Sequence, residues 1–388
     1  MHALLSPSSA SRWLACPPSA RLESRFPDNS GAAASEGTLA HSLGELLLRY
    51  KIGEIKYVPF KRELEKIQSN SQYEAAMLEY MEDYATYVLE QYNGAKSHTK
   101  DALLFLEQKL DMSKYVPEGF GTGDVVIIAN GTLSFIDLKY GKGVPVSAVD
   151  NKQMMLYALG ALEEFGILFD IHTVSMTIYQ PRLDSISTFE MLTDDLMDWA
   201  ALILKPAAEQ AFNGTGEFAA GEHCRFCKVK GACKANANFN LQLAKHDFKE
   251  GVILSDADVA DILDKADLFS KWIAAVEEYA LKSAVNDGKK WPGYKLVEGR
   301  SNRIYTDQEE VAKAVQKLGM TKEQIYTQKL IGLTDMEKLL TKHVFKETLG
   351  DYIIKPPGKP TLAPTYDKRP ELQSADSAKL DFAEVLDN

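Results

Sequence analysis

Cysteine is scarce in this chain, with four residues in 388, too few for the disulfide frameworks that staple small secreted domains. No apolar run approaches the ~20 residues that a bilayer-spanning helix needs. The longest candidates, such as Met154 to Leu162, have the length of a core helix, so no membrane partner is expected. Positive charge is not in excess either. Lys and Arg number 44 against 55 Asp and Glu, a net charge of -11, which excludes a surface coated in cations for wrapping nucleic acid but leaves room for a local basic groove. No internal repeat is evident, so a repeat array is not expected.

What is present is the composition of a soluble globular protein, 45% hydrophobic and 26% charged, in a chain longer than one usual domain. The stretch Trp13-Leu14-Ala15-Cys16 faintly resembles a lipoprotein cleavage box, but neither a basic segment nor a sustained apolar one precedes it. A cytoplasmic location in a bacterial host cell is the expectation.

The few cysteines are unevenly placed. Cys16 stands alone near the start, and Cys224, Cys227 and Cys233 follow in EHCRFCKVKGAC. Four thiols in a reducing compartment point to metal or redox chemistry, and a Cys-x2-Cys-x5-Cys cluster needs a fourth soft ligand. If Cys16 supplies it, a metal closes a long loop of chain. Arg12, Arg21 and Arg25 flank the first cysteine and Arg225, Lys228 and Lys230 lie among the others, so closure would also gather positive charge, although each alone reads as a solvated surface residue.

Hydrophobic periodicity predicts a helix from about Ser35 through LAHSLGELLLRY, with His41 and Glu45 one turn apart on one face. A second helix is predicted through SQYEAAMLEYMEDYATYVLEQY, ending near Asn93-Gly94. Its tyrosines, Tyr73, Tyr80, Tyr84 and Tyr87, have the spacing of helix packing. Strands are expected over about 102 to 111, in TGDVVIIA and in TLSFIDLKY, the last two joined by the hairpin signal Asn130-Gly131. A helix in VDNKQMMLYALGALEEFG, a strand in HTVSMTIYQ and a helix in DDLMDWAALILKPAAEQAF follow. From 35 to 180 the core therefore reads as helix, three strands, helix, strand. Beyond 240 long helices are expected, the clearest capped by Ser255 or Asp256, with a short hairpin or arm in WPGYKLVEGRSNRIY. From 351 onward proline is too frequent for regular structure.

The hairpin carries the chemistry. Asp124 begins one strand and Asp137 sits near the end of its partner, with Lys139 two positions on and therefore on the same face. Two carboxylates and a lysine at one end of a hairpin form a hard-oxygen site suited to Mg2+ or Mn2+, able to activate water and to stabilise charge on a phosphodiester. A surface ion pair is the bland alternative. Asp137 lies in the apolar run FIDL, however, where an unpartnered carboxylate would be costly, and that context favours a site.

Gly121-Thr122-Gly123-Asp124, Ile136-Asp137-Leu138-Lys139 and Gln153 with Tyr157 resemble the GxxD, (D/E)xK and QxxxY motifs of RecB-like PD-(D/E)XK nucleases. Gly37-Thr38-Leu39-Ala40-His41 is similar to that family's upstream GTxxH motif, and one cysteine before the core with three after it resembles its iron-sulfur branch, which includes AddB-type and CRISPR-associated exonucleases and whose phage and prophage members this chain resembles most. The resemblance covers roughly residues 5 to 240. It implies an α/β restriction-endonuclease-like core with added helices and a 4Fe-4S staple held by Cys16, Cys224, Cys227 and Cys233. Zinc is the alternative that spacing alone leaves open. The resemblance also implies that His41, Asp124, Asp137 and the Leu138 carbonyl hold Mg2+ or Mn2+. Lys139 would then position water or stabilise charge, and Gln153 and Tyr157 would contact the DNA backbone or orient the lysine.

The expected organisation is a nuclease domain over 1-240, a mainly helical region over 241-350 and a Pro-rich tail over 351-388. The expected function is a metal-dependent DNA exonuclease of phage-type recombination or replication, with a phage single-strand annealing or binding protein as a further partner. The rival readings are a catalytically silent DNA-binding or scaffold module and a zinc-stabilised interaction protein. Glu107 in the first strand reads as solvent-facing or as one more site carboxylate, Glu45 as a helix-surface residue and His223 as incidental to the cysteines.

Overall fold

A computed structural model describes residues 3–26, 32–143, 145–244, 256–295, 297, 307–317, 321–326, 330–340 and 342–353. Short helices α1 (Ala10–Ala15) and α2 (Ser19–Glu23) lead into α3 (Ala32–Lys51), α4 (Tyr57–Gln68) and α5 (Ala75–His98). Strands β1 (Leu103–Asp111), β2 (Phe120–Ala129) and β3 (Thr132–Leu138) precede α6 (Lys152–Phe165), and β4 (Thr173–Gln180) and β5 (Ser185–Leu192) complete a five-stranded sheet. Its order is β1-β2-β3-β4-β5. Only β3 and β4 run parallel, joined by the α6 crossover; the other pairs are antiparallel.

Each face of the sheet is covered, which makes this a mixed α/β fold. On one side Leu110, Val126, Leu133, Phe135 and Met176 pack with α6 and the N-terminal residues Leu5 and Trp13. On the other, Leu106, Val125, Ile136 and Leu138 pack with Leu43 and Leu47 of α3 and Met77, Met81 and Tyr84 of α5. Asn130 (φ 48°) and Gly131 (φ 69°) both occupy the left-handed region, as a tight hairpin between right-twisted strands requires. Asn151 caps α6 by accepting from the backbone N–H of Gln153 and Met154, a contact worth ~1 kcal/mol.

Several elements depart from the sequence reading. Helix α3 starts at Ala32 instead of Ser35, and α5 continues through Asn93-Gly94 to His98. Gly94 meets no crowding that would require a break, and the far turns of α5 are tied to the sheet edge by Tyr92, whose hydroxyl donates to the Ala102 carbonyl at 3.4 Å. Helix α4, in a charged stretch, is anchored by Phe60 stacking on Tyr50 at 4.1 Å. Strand β5 is an edge strand whose inward residues alternate between Ser185, Ser187, Phe189 and Met191, so its apolar alternation is faint. The helix over 194–212 runs as α7 (Thr193–Trp199), a π-helical stretch over Ala200–Leu204 and α8 (Lys205–Asn213). The wide turn precedes Pro206, which has no N–H to give the ladder.

Helix α9 (Lys234–Ala244) follows the cysteine cluster. The described elements beyond it are helices: α10 (Asp256–Asn286), α11 (Gln308–Lys317), α12 (Lys322–Ile325), α13 (Leu333–Leu339) and α14 (Lys342–Leu349), with a closing 3-10 turn over Gly350–Tyr352. Ser255, most of the arm after Trp291 and the Pro-rich residues 354–388 lie outside the described residues. Among the described residues no helix is long and apolar enough to cross a membrane.

Candidate active site

A change of strand alternation builds the site. Leu104 and Leu106 of β1 face α3 and α5, yet Leu110 faces α6, so the parity reverses between them. In β2, Gly121 and Gly123 back onto Tyr157 and Phe135 on the α6 side, whereas Val125 faces α3 and α5. Both strands thus put two successive residues, Leu106-Glu107 and Asp124-Val125, on the α3 side. Glu107 absorbs the change with a left-handed backbone, φ 49°, which is costly for a residue other than Gly and recurs at functional sites.

Three side chains converge there. His41 Nδ1 lies 3.1 Å from Asp124 Oδ1, and one ligand atom from each of His41, Glu107 and Asp124 lies within 4.8 Å of the other two. Among the described residues this is the only such group of three or more His, Cys, Asp or Glu side chains. They line a small cavity with Glu45, Leu48, Tyr84, Leu106 and Leu138, with room for about one water or ion. The second oxygen of Asp124 accepts from the Leu138 backbone N–H at 2.7 Å, which locks β2 to the end of β3.

Electrostatics is crowded. Burial alone would discharge His41, but its hydrogen bond to Asp124 and the charges of Asp124 and Asp137 outweigh burial and hold its pKa up at about 9. Burial, followed by the charges of Asp124 and Glu45, pushes Glu107 up to about 7. No described residue gives Glu107 a hydrogen bond or ion pair, and the same holds for the buried hydroxyl of Tyr84, whose nearest charges are Asp124, Asp137 and Glu107.

Asp137 and Lys139 stand at the mouth of the same strands. Asp137 is 3% exposed, and its Oδ2 lies 2.8 Å from Lys139 Nζ. That contact is an ion pair without good hydrogen-bond alignment, since Oδ2 accepts no hydrogen bond from a described residue. Burial raises the Asp137 carboxyl, with Lys139 opposing the shift and Asp124 adding to it. Burial works against the charge on Lys139, but Asp137 and then Asp124 prevail and raise its pKa. The Leu138 side chain points into the α3 and α5 layer.

Gln153 and Tyr157 approach from α6. They hydrogen-bond to one another, and burial with the nearby Asp137 charge raises the Tyr157 phenol. The Tyr157 ring stacks on Phe135 at 5.1 Å and 19°. The glycines of GTGD make room for this pair: a Cβ on Gly121 would lie 2.8 Å from Tyr157 Cε1 and one on Gly123 2.5 Å from Phe135 Cε2. The structure therefore groups Asp124, Asp137, Lys139, His41, Gln153 and Tyr157 around one strand end.

Sequence reasoning underrated Glu107. Of its two readings, solvent-facing residue or site carboxylate, its position opposite Asp124 in the ladder and beside His41 favours the second. Glu45 lines the cavity while pairing with Arg49 at 2.8 Å. Arg182 was missed altogether: its side chain is almost fully buried, bonds Glu36 of α3 at 2.7 Å and stacks over Tyr140 at 4.6 Å.

The four cysteines are free thiols. Cys16 is raised by burial, with the charge of Cys233 adding to it; Cys224 is raised by burial, with the charges of Cys233 and Cys16 adding to it. Burial pushes Cys227 up to about 12. The four are drawn to one corner, though no three of their sulfurs lie within 4.8 Å of one another. Glu23 fastens that corner. One of its oxygens takes Arg12 Nε at 2.6 Å and the other the Lys228 backbone N–H at 2.7 Å. His223 instead bonds the Ala219 carbonyl at 3.0 Å.

Among solved structures, a candidate exonuclease from Eubacterium rectale is similar at 13% identity and a TM-score of 0.30, over 64% of this chain and 90% of its own. The protein SSO0001 is similar at 15% identity and a TM-score of 0.21, over 50% of this chain and 95% of its own. Likenesses of this size do not establish a shared fold. The family model described as DUF2800, a protein of unknown function, matches residues 2–370, and the chain belongs to that family.

Proposed function

We propose that the chain is a divalent-metal-dependent DNA nuclease, acting as an exonuclease of phage-type recombination or replication. The observation that carries this reading is the convergence of His41, Glu107 and Asp124 beside the Asp137–Lys139 pair. The donor set fits a hard cation. Carboxylate oxygens and one imidazole suit Mg2+ or Mn2+, and Glu107, which makes no hydrogen bond or ion pair with a described residue, would gain a direct partner in a cation. Asp124, Glu107 and His41 would hold the ion, with Asp137 and the Leu138 carbonyl as further ligands. When bound, the ion would lower the pKa of water and neutralise charge on a phosphodiester.

The protein's own groups do the rest. Lys139, held by Asp137, presents an ammonium to charge developing on the phosphate. Tyr157, stacked on Phe135, and Gln153, hydrogen-bonded to Tyr157, form the wall facing Asp137 and are placed to meet the DNA backbone. Arg225, Lys228 and Lys230 add positive charge near the cysteine corner, where Arg12 is neutralised by Glu23.

At that corner the reading is a 4Fe-4S cluster pinning the N-terminal segment to the region after α8. Four free thiols in one corner, Cys16 and Cys227 of them buried, suit a thiolate-binding group. Zinc held by the four thiolates is the alternative.

The test is incubation of end-labelled DNA with the purified chain and Mn2+. Progressive shortening that stops in EDTA and in Asp124→Asn supports the reading. DNA retarded on a gel but never shortened would point to the silent binding module instead.

A further inference from the structure

The cysteine loop and the C-terminal end of α10 form one surface. Gly231 sits so tightly on α10 that a Cβ there would lie 2.2 Å from the Ala275 carbonyl oxygen and 3.1 Å from Tyr279 Cβ. Tyr279 in turn meets Trp291 at 5.8 Å, edge on. Lys289 Nζ stands 4.2 Å over the Trp291 ring and 5.5 Å over that of Tyr279. The indole is not free to turn away, because its Nε1 donates to the Ala280 carbonyl at 2.9 Å. Phe226, on the cysteine loop, is 74% exposed under Arg225, and Tyr294, three residues past Trp291, is 82% exposed.

The charge of this surface runs against that of the chain. Residues 222–233 and 275–295 carry seven Lys and Arg against four Asp and Glu, in a protein of net charge -11. Most buried or half-buried cations elsewhere are paired, as Arg12, Arg49, Lys139 and Arg182 are. Here, among the described residues, no carboxylate lies within 4.0 Å of Arg225, Lys230, Lys289, Lys290 or Lys295. Exposed large rings leave apolar surface in water that a partner would gain by covering, and unpaired cations beside them suit a partner that is polyanionic and has flat apolar faces.

We infer that this surface binds single-stranded nucleic acid, with Tyr294, Phe226 and the Trp291–Tyr279 pair stacking on bases and Lys289, Lys290, Lys295 and Arg225 meeting phosphates. Duplex DNA offers the phosphates but keeps its bases stacked inside, so the rings favour a single strand. The inference rests on the nucleic-acid reading of the preceding section but on none of its active-site residues.

The experiment is fluorescence anisotropy of labelled oligothymidylate and of a matched duplex with full-length Asp137→Asn protein in EDTA, where no cleavage confuses the signal. Tighter binding of the single strand is expected. Tyr294→Ala and the double change Lys289→Ala with Lys290→Ala should each weaken it on the order of tenfold, and the lysine changes should also flatten its salt dependence. Tyr294 and both lysines are exposed, so circular dichroism should report an unchanged fold. Equal binding by parent and variants, or a preference for the duplex, overturns the inference. A chain that binds single strands through this patch yet cuts no DNA would instead fail the nuclease reading alone, whereas cutting with patch-independent binding would fail this one alone.

Discussion

Glu107 stands opposite Asp124 across the β1–β2 ladder, between the pairs Leu106–Val125 and Gln108–Gly123, with its backbone turned into the left-handed region. The two carboxylates are crowded with His41 around a cavity the size of one ion. Glu107→Gln keeps the shape and removes one charge. It should weaken Mn2+ binding by at least about tenfold. It should also raise the Tm of the metal-free chain at pH 8, because folding no longer has to bury an ionised Glu107. Calorimetric titration and thermal melts in EDTA check both.

The pH dependence follows from the same groups. A histidine held at about 9 contributes stability that is complete below its unfolded value near 6.5 and is lost as pH rises through 9. Glu107, raised to about 7, binds its proton more tightly folded than unfolded, so its contribution also falls as pH rises, between about 4.5 and 7. The metal-free protein should therefore lose Tm from pH 5 to 9, and His41→Ala should flatten the upper half of that fall. Metal must displace the same protons, so Mn2+ affinity should rise over pH 6 to 9.

Glycines in two of the motifs should behave oppositely. Gly121→Ala and Gly123→Ala would drive a methyl against the rings of Tyr157 and Phe135, and each should cost about 1–3 kcal/mol by overpacking. Gly37 lies inside α3 with no atom within 4 Å of an added Cβ, so Gly37→Ala should stabilise the free protein by up to about 1 kcal/mol. Urea melts of the three variants separate the cases.

Much of this architecture is legible in the residues. Asn130-Gly131, the cap at Asn151 and the apolar periods place the hairpin and α6 because each rests on local chemistry. Edge strand β5 escapes because half of its inward positions are Ser, and the π-helical stretch before Pro206 because it answers a missing N–H rather than a period. At the site, Asp124, Asp137 and Lys139 can be read from the hairpin, and His41 from a motif. Glu107 is legible only as one of two alternatives, since its direction depends on a reversal of alternation that only the packed sheet reveals.

Glu23 should matter out of proportion to its distance from the strands. It ties Arg12 and the Lys228 backbone together across the cysteine corner, and Glu23→Ala would leave both donors without their buried acceptor, at about 1–3 kcal/mol. Cys16, now 6% exposed, should then react faster with a thiol reagent. An unchanged labelling rate would show that other contacts hold the N-terminal segment.

The most direct measurement follows the length of end-labelled DNA with Mn2+ for the parent chain, Asp137→Ala and Lys139→Ala, each verified as folded. The account predicts shortened DNA for the parent and intact DNA for both variants. Full activity in the variants, or intact DNA with a parent chain that has Mn2+ bound, would contradict it.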